Sequence, residues 1–228
     1  MFRDITVSLY VIRDASQGEP IYLRRDRFIK GKPDSEKALH YTRPRVGWQE
    51  SSAQNNFRRI IAAAIPQGSF CNHKINYIPE SASQLPLDFV LALLNSKVSD
   101  WIFRLSSTSA AVSHYQVDQL PVPTITEGIP PINWATLVDQ HRWTELPELV
   151  PLDQPGFMPK FAALAVEQMC RRIREIEEQR RLTNKSGRSH LADESQPIQD
   201  TIDQIIFACL GLSREEASFV DARLREML

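Results

Sequence analysis

Hydrophobic and polar positions divide this chain into a strand-rich first part and a helical last part. Residues Ile5 to Ile12 carry a strand pattern, Gln17-Gly18-Glu19-Pro20 has the composition of a turn, and Ile21-Tyr22-Leu23 resumes an extended segment. Strands are then expected to dominate to about Ile78. Within them, the polar stretch Gln54-Asn55-Asn56 feeds Ile60-Ile61-Ala62-Ala63-Ala64-Ile65, an apolar, partly β-branched run stopped by Pro66. That combination predicts a buried strand with a polar loop mounted at its edge. After Pro86 the spacing turns helical, over Leu87 to Leu94 and Val98 to Leu105, with Asn95-Ser96 between them as residues suited to a cap. Ser106 to Ser109 reads as a polar loop, and Val112 to Val117 as a returning strand.

Eight prolines between Pro121 and Pro159 forbid a long helix and predict a connector, which Trp134, Trp143 and Phe157 would pack along a surface. From Lys160 to about Leu182 a helix is predicted, with Ala162, Val166, Met169, Ile173 and Ile176 on one stripe. Its charged run Arg171 to Arg181 reads as a solvated face with internal ion pairs. Thr183 to Pro197 is expected to be a polar loop, cut first by proteases near Lys185 or Arg188. Ile198 to Leu210 is a further helix ended by Gly211, and Ser213 with Glu216 forms a capping box for a last one bearing Ala217, Val220, Leu224 and Met227. The predicted organisation is therefore residues 1–125, a connector over 126–159, and a helical region over 160–228.

Composition changes this picture little. A hydrophobic share of 42% suits a globular protein, and no apolar run reaches membrane-spanning length, so a cytoplasmic location without membrane association is the expectation. Cys71, Cys170 and Cys209 are odd in number and widely spaced, which predicts free, buried thiols. The net charge of −1 conceals an asymmetry: residues 1–125 hold 15 Lys/Arg and 11 Asp/Glu, residues 126–228 hold 12 and 17. The cationic excess lies in Arg24, Arg25, Arg27, Lys30, Lys32, Lys37, Arg43 and Arg45, a stretch that could follow a phosphate backbone or be a solvated loop.

Catalytic motifs are sparse. Pro33-Asp34-Ser35-Glu36-Lys37 has the letters of a metal-dependent nuclease, but such a site needs its second acid and lysine on a separate strand so that carboxylates converge. The histidines His40, His73, His114, His141 and His190 show no metal-ligand spacing, and none of the eight glycines falls in a phosphate-cradling pattern. No catalytic or metal-ligating residue is therefore expected.

The segments Trp48-Gln49-Glu50, Asn56-Phe57-Arg58-Arg59 leading into Ile60–Pro66, Leu91 to Lys97, and Val117 to Pro123 are ordered and spaced in a way that resembles the C-terminal target-recognition domain of type IIG restriction-modification enzymes, the adenine methyltransferase-nucleases of the TaqI-like specificity group. The resemblance covers roughly residues 20–125, with an echo in Ile202 to Glu216. It implies an α+β fold: a mixed β-sheet recognition domain with packed helices, then a small helical region. It also implies a DNA-binding module that does no chemistry alone, with S-adenosylmethionine and Mg²⁺ serving only the catalytic domains of the full enzyme. The partners implied are double-stranded DNA and a linked or associated methyltransferase/nuclease domain.

Arg43, Arg45, Gln49, Asn56, Arg58, Asn72, Lys74 and Asn76 are the candidate DNA contacts, with arginine reading guanine and amides reading adenine. Arg58 leads on the family pattern; a salt bridge to Glu50 is its structural alternative. Two further readings are a half of a type I specificity subunit, suggested by the Leu120-Pro121-Val122-Pro123 exit, and a protein-interaction module using Trp134, Trp143 and the helices.

Overall fold

A computed structural model describes residues 2–3, 5–14, 22–32, 35–150, 154–183 and 191–227. The fold is α+β. The strand expected over Ile5 to Ile12 is instead a hairpin. After a short β1 (Phe2–Arg3), β2 (Ile5–Val7) and β3 (Ile12–Asp14) pair antiparallel, and Tyr10 between them adopts a left-handed φ of 66°. Tyr10 is fully buried; its N–H donates to the Ala62 carbonyl at 2.8 Å and its carbonyl accepts from Ala64 N–H at 3.3 Å. Tertiary hydrogen bonding therefore sets the turn where sequence alternation alone predicts continuity.

β4 (Tyr22–Leu23) pairs with β1. The basic stretch that follows is helical rather than a loop, forming α1 (Arg25–Ile29) and α2 (Glu36–Leu39), the latter capped by Ser35 Oγ, which accepts from Ala38 N–H. The central sheet is antiparallel, in the order β6-β5-β7: β5 (Arg45–Gln49), β6 (Ala62–Ile65) and β7 (Ile75–Pro79). β7 is thus an outer strand. The run into Pro66 is buried as expected, with Ile60, Ala62 and Ala63 fully enclosed.

Two helices follow on the predicted spacing, α3 (Leu87–Leu94) and α4 (Lys97–Ser106), with Ser96 as the N-cap of the second. Asn95 does more than cap. Its Oδ1 accepts from Ala62 N–H at 2.9 Å and its Nδ2 donates to the Ala62 carbonyl at 3.0 Å, so a side-chain amide continues the sheet's pairing in the core. Asn95→Ala leaves the Ala62 N–H buried without this acceptor, and we expect a loss of about 1–3 kcal/mol in denaturant unfolding. An aspartate at the same position should not rescue it, because a carboxylate cannot donate back.

The return strand expected over Val112 to Val117 is a helical turn, α5 (His114–Val117), because Ser113 and Gln116 form a capping box. In the proline-rich segment, β8 (Thr124–Thr126) pairs in parallel with β9 (Phe157–Pro159), and α6 (Trp134–Asp139) lies between them. Trp134 and Trp143 are core residues, whereas Phe157 is 40% exposed.

α7 (Lys160–Leu182) buries its predicted stripe, from Ala162 to Ile176, and packs on α3. Its charged face is paired both internally, as in Arg172–Glu175 and Arg181–Glu178, and across to α3, where Arg171 and Arg174 both hold Asp88. Lys185 and Arg188 lie outside the described residues. α8 (Gln196–Cys209) ends at Gly211, whose φ is 83°, and α9 (Arg214–Glu226) starts on the Ser213/Glu216 box. One hydrophobic core runs from Val7 through the sheet and α3 to α7, α8 and Leu224. Among the described residues the three cysteines are free thiols, Cys170 and Cys209 buried and Cys71 half-buried, and no helix is long and apolar enough to cross a membrane.

Candidate nucleic-acid interface

A concave surface of about 570 Å³ opens beside β7, walled by α2, the turn holding His40, the loop Cys71 to His73, and the start of α5. Lys32, Lys37, His40, Asn72, His73 and His114 bring their polar groups to it, and Asn76 and Tyr77 project from the outer strand. No described aspartate or glutamate lines it. Phe28 stacks edge-on to Phe70 beneath the wall and carries Lys32 Nζ 5.0 Å above its ring.

The groove is held in shape by a few shared contacts. The Val112 carbonyl accepts from both Trp48 Nε1 and Asn76 Nδ2, each at 3.0 Å, and His114 rests edge-on against the Trp48 ring. His40 Nδ1 lies 3.3 Å from the Tyr77 hydroxyl. Burial lowers the His40 pKa; Glu36 raises it, and Arg45, Lys37 and Arg43 lower it further. Burial likewise raises the Tyr77 hydroxyl. Cys71 is pushed up to about 11 by burial, which leaves it a thiol and a poor nucleophile.

The eight candidate DNA contacts separate into two groups. Asn72, Lys74 and Arg43 are exposed, and Asn72 and the half-buried Asn76 line the groove itself. Asn72 Oδ1 accepts from Lys74 N–H at 2.8 Å, a local turn that fixes this rim. Of the remaining four, Arg45 and Arg58 are buried, and Gln49 and Asn56 are half-buried with their amides bonded to protein.

Arg45 is 3% exposed; its Nη2 donates to the Ser69 carbonyl at 2.5 Å and its guanidinium lies 5.2 Å over the Tyr77 ring. Gln49 donates to the Val7 carbonyl at 2.8 Å, and Asn56 donates to Ser52 Oγ at 3.1 Å. Arg58 is 7% exposed and, instead of bridging to Glu50, directs its charge at Tyr10 and Asp203. Their backbone amides and carbonyls belong to β5 or to the loop before β6, and in both places the side chain follows the core. Pro33 and Asp34 of the nuclease-like letters lie outside the described residues; Glu36 and Lys37 are exposed on α2.

Sequence reasoning passed over two internal networks. Asp100 of α4 accepts from Arg59 N–H at 2.6 Å and from Arg104 Nε at 2.8 Å, while Arg104 also reaches the Gln54 and Asn56 carbonyls, so the loop before β6 is stapled to α4. The second network is deeper. The Tyr10 hydroxyl donates to Gln199 Oε1, Gln199 Nε2 donates to Asp203 Oδ1 at 3.2 Å, and the Lys97 N–H donates to the same oxygen at 2.8 Å. The (i, i+4) spacing of Gln199 and Asp203 gives no hint of partners a hundred residues away at Lys97 or further still at Tyr10.

No protein-family model matches the chain, and no curated protein does.

Proposed function

We propose that this chain is a DNA target-recognition module, non-catalytic by itself, of the kind that serves an adenine methyltransferase/endonuclease of the type IIG class. The observation that carries the reading is the groove beside β7: cations, imidazoles and amides converge there with no described carboxylate among them. Such a lining suits a phosphodiester backbone flanked by base edges. Lys32 and Lys37 neutralise phosphate, and Asn72 and Asn76, with Arg43 and Lys74 at the rim, meet bases or sugar.

Base reading by Arg45 and Arg58 is withdrawn, since both side chains are buried. Gln49 and Asn56 are half-buried, bonded to protein and outside the groove lining, and carry no part of this reading. Trp134 and Trp143 are buried, so a protein-interaction reading would have to rest on the helices alone.

The test is binding of a duplex panel by fluorescence anisotropy over a range of salt. Lys32→Gln/Lys37→Gln should weaken every sequence alike and reduce the slope of log K against log salt by roughly 2, as expected for two lost phosphate contacts. Asn72→Ala should relax preference at one A·T pair by about 1–3 kcal/mol. Unchanged affinity and slope in the double lysine variant would remove the groove from consideration.

A further inference from the structure

Three histidines enter the groove from three different elements: His40 from the turn after α2, His73 from the loop before β7, and His114 from the first residue of α5. This convergence is invisible in the sequence, where they are 33 and 41 residues apart along the chain. Together with Lys32 and Lys37 they make a surface whose positive charge is only partly fixed. The lysines are charged throughout the physiological range, whereas imidazoles change charge within it.

The groups around them favour the same direction of coupling. His40 faces Glu36 and Lys37 on α2, Arg43 beyond its own turn, Arg45 on β5 and Tyr77 on β7. Burial, and then the charges of Arg45, Lys37 and Arg43, hold His40 towards its neutral form, and Glu36 alone among these charges favours the cation. His73 sits between Asn72 and Lys74 on an exposed loop, and His114 has the Trp48 ring as its neighbour from β5. An anion lodged among the three supplies His40 with an opposite charge that, Glu36 apart, its protein surroundings withhold. Anion uptake and proton uptake must then reinforce each other, by thermodynamic linkage.

We infer that the groove is a proton-linked polyanion site, in which protonation of His40, His73 and His114 adds up to three phosphate contacts to those made by Lys32 and Lys37. The inference rests on reading the groove as a DNA-backbone site, and it adds a condition to that reading: binding is graded by pH. Affinity should rise and the salt dependence steepen as pH falls through the range in which imidazoles take up protons, because further counterions are released.

The experiment measures a fluorescent duplex of about two helical turns by anisotropy at fixed ionic strength, from about pH 8 to about pH 5.5, for the full chain. Affinity should rise by about tenfold or more as pH falls. In His40→Gln/His73→Gln/His114→Gln the ratio of affinities at the two ends should approach one. His73→Gln/His114→Gln, which alters only exposed side chains, should give an intermediate ratio and guards against a folding defect from the His40 change.

In parallel, the three imidazoles are titrated by NMR with and without inorganic tripolyphosphate, which should raise their midpoints. A duplex affinity that is flat with pH, or a pH dependence that survives the triple substitution, overturns the inference. If no duplex binds at any pH while tripolyphosphate still raises the midpoints, the DNA reading fails and the proton-linked polyanion site stands. If neither probe responds, both are wrong.

Discussion

Arg58→Ala should lower the unfolding free energy by about 3 kcal/mol near neutral pH, one of the largest effects expected of any single change outside the apolar core. Arg58 is 7% exposed, and its charge faces Asp203, itself 2% exposed, and the fully buried Tyr10. Alanine removes the cation and leaves a buried carboxylate with less to offset its desolvation. It also removes packing over Phe57, whose ring lies 5.6 Å from the guanidinium carbon. Arg58→Met, which keeps the length and the apolar contact, should recover part of the loss, because Arg58 Nη1 has no hydrogen-bond partner to forfeit.

The loss should shrink as pH falls through about 6, where Asp203 takes up a proton and no longer needs the arginine. Denaturant titrations of wild type and both variants at two pH values decide this. A variant as stable as wild type that instead lost sequence preference on DNA would return Arg58 to the binding surface.

The contrast between Arg58 and Asn72 shows what the sequence could and could not disclose. Element type was legible wherever local pattern and tertiary demand agree. The stripe of α7, the cap at Ser96, the stop at Gly211 and the Ser213/Glu216 box each depend on residues within one or two turns, and each is present. The failures lie where distant groups decide. Tyr10 breaks a strand because Ala62 and Ala64 offer it hydrogen bonds. The turn at His114 is a miss of another kind, since the Ser113/Gln116 box is local and competes with the β-branched Val112 and Val117 within the same few residues.

The candidate site followed the same rule. The polar residues singled out beside an apolar strand divide between surface and interior, and which of them face outward depends on register. In the five-residue strand β5, Arg45 is buried and Gln49 bonds inward to Val7; on the loop before β7, Asn72 and Lys74 remain exposed. The groove lies within the half that carries the cationic excess, residues 1–125, yet the three histidines that line it come together only through the fold.

Asp203 gives the second large effect, and its sign follows from which neighbour reaches it. Lys97 is claimed mainly by other acids: its Nζ lies 2.6 Å from Asp221 and 2.9 Å from Asp200, but 3.9 Å from Asp203 Oδ2, which has no hydrogen-bond partner. Three aspartates keep Lys97 charged and raise its pKa despite burial. Asp203 gains less in return. Desolvation dominates over the attraction of Arg58 and Lys97, and its pKa is raised to about 6. In the unfolded chain an aspartate titrates near 3.9, so between about pH 4 and pH 6 the folded state binds more protons than the unfolded one.

Stability from this group is therefore fully present below about pH 4, falls as pH rises towards 6, and is level above it. The span is on the order of 1–3 kcal/mol. Asp203→Asn retains an oxygen to accept from Lys97 N–H and Gln199 Nε2 but cannot ionise, so the fall between about pH 4 and pH 6 should vanish, whatever the variant's absolute stability. Urea unfolding at half-unit pH steps measures the slope directly. An equal slope in wild type and Asp203→Asn would mean that the carboxylate is ionised throughout, with Lys97 or Arg58 holding it more closely than their separations imply.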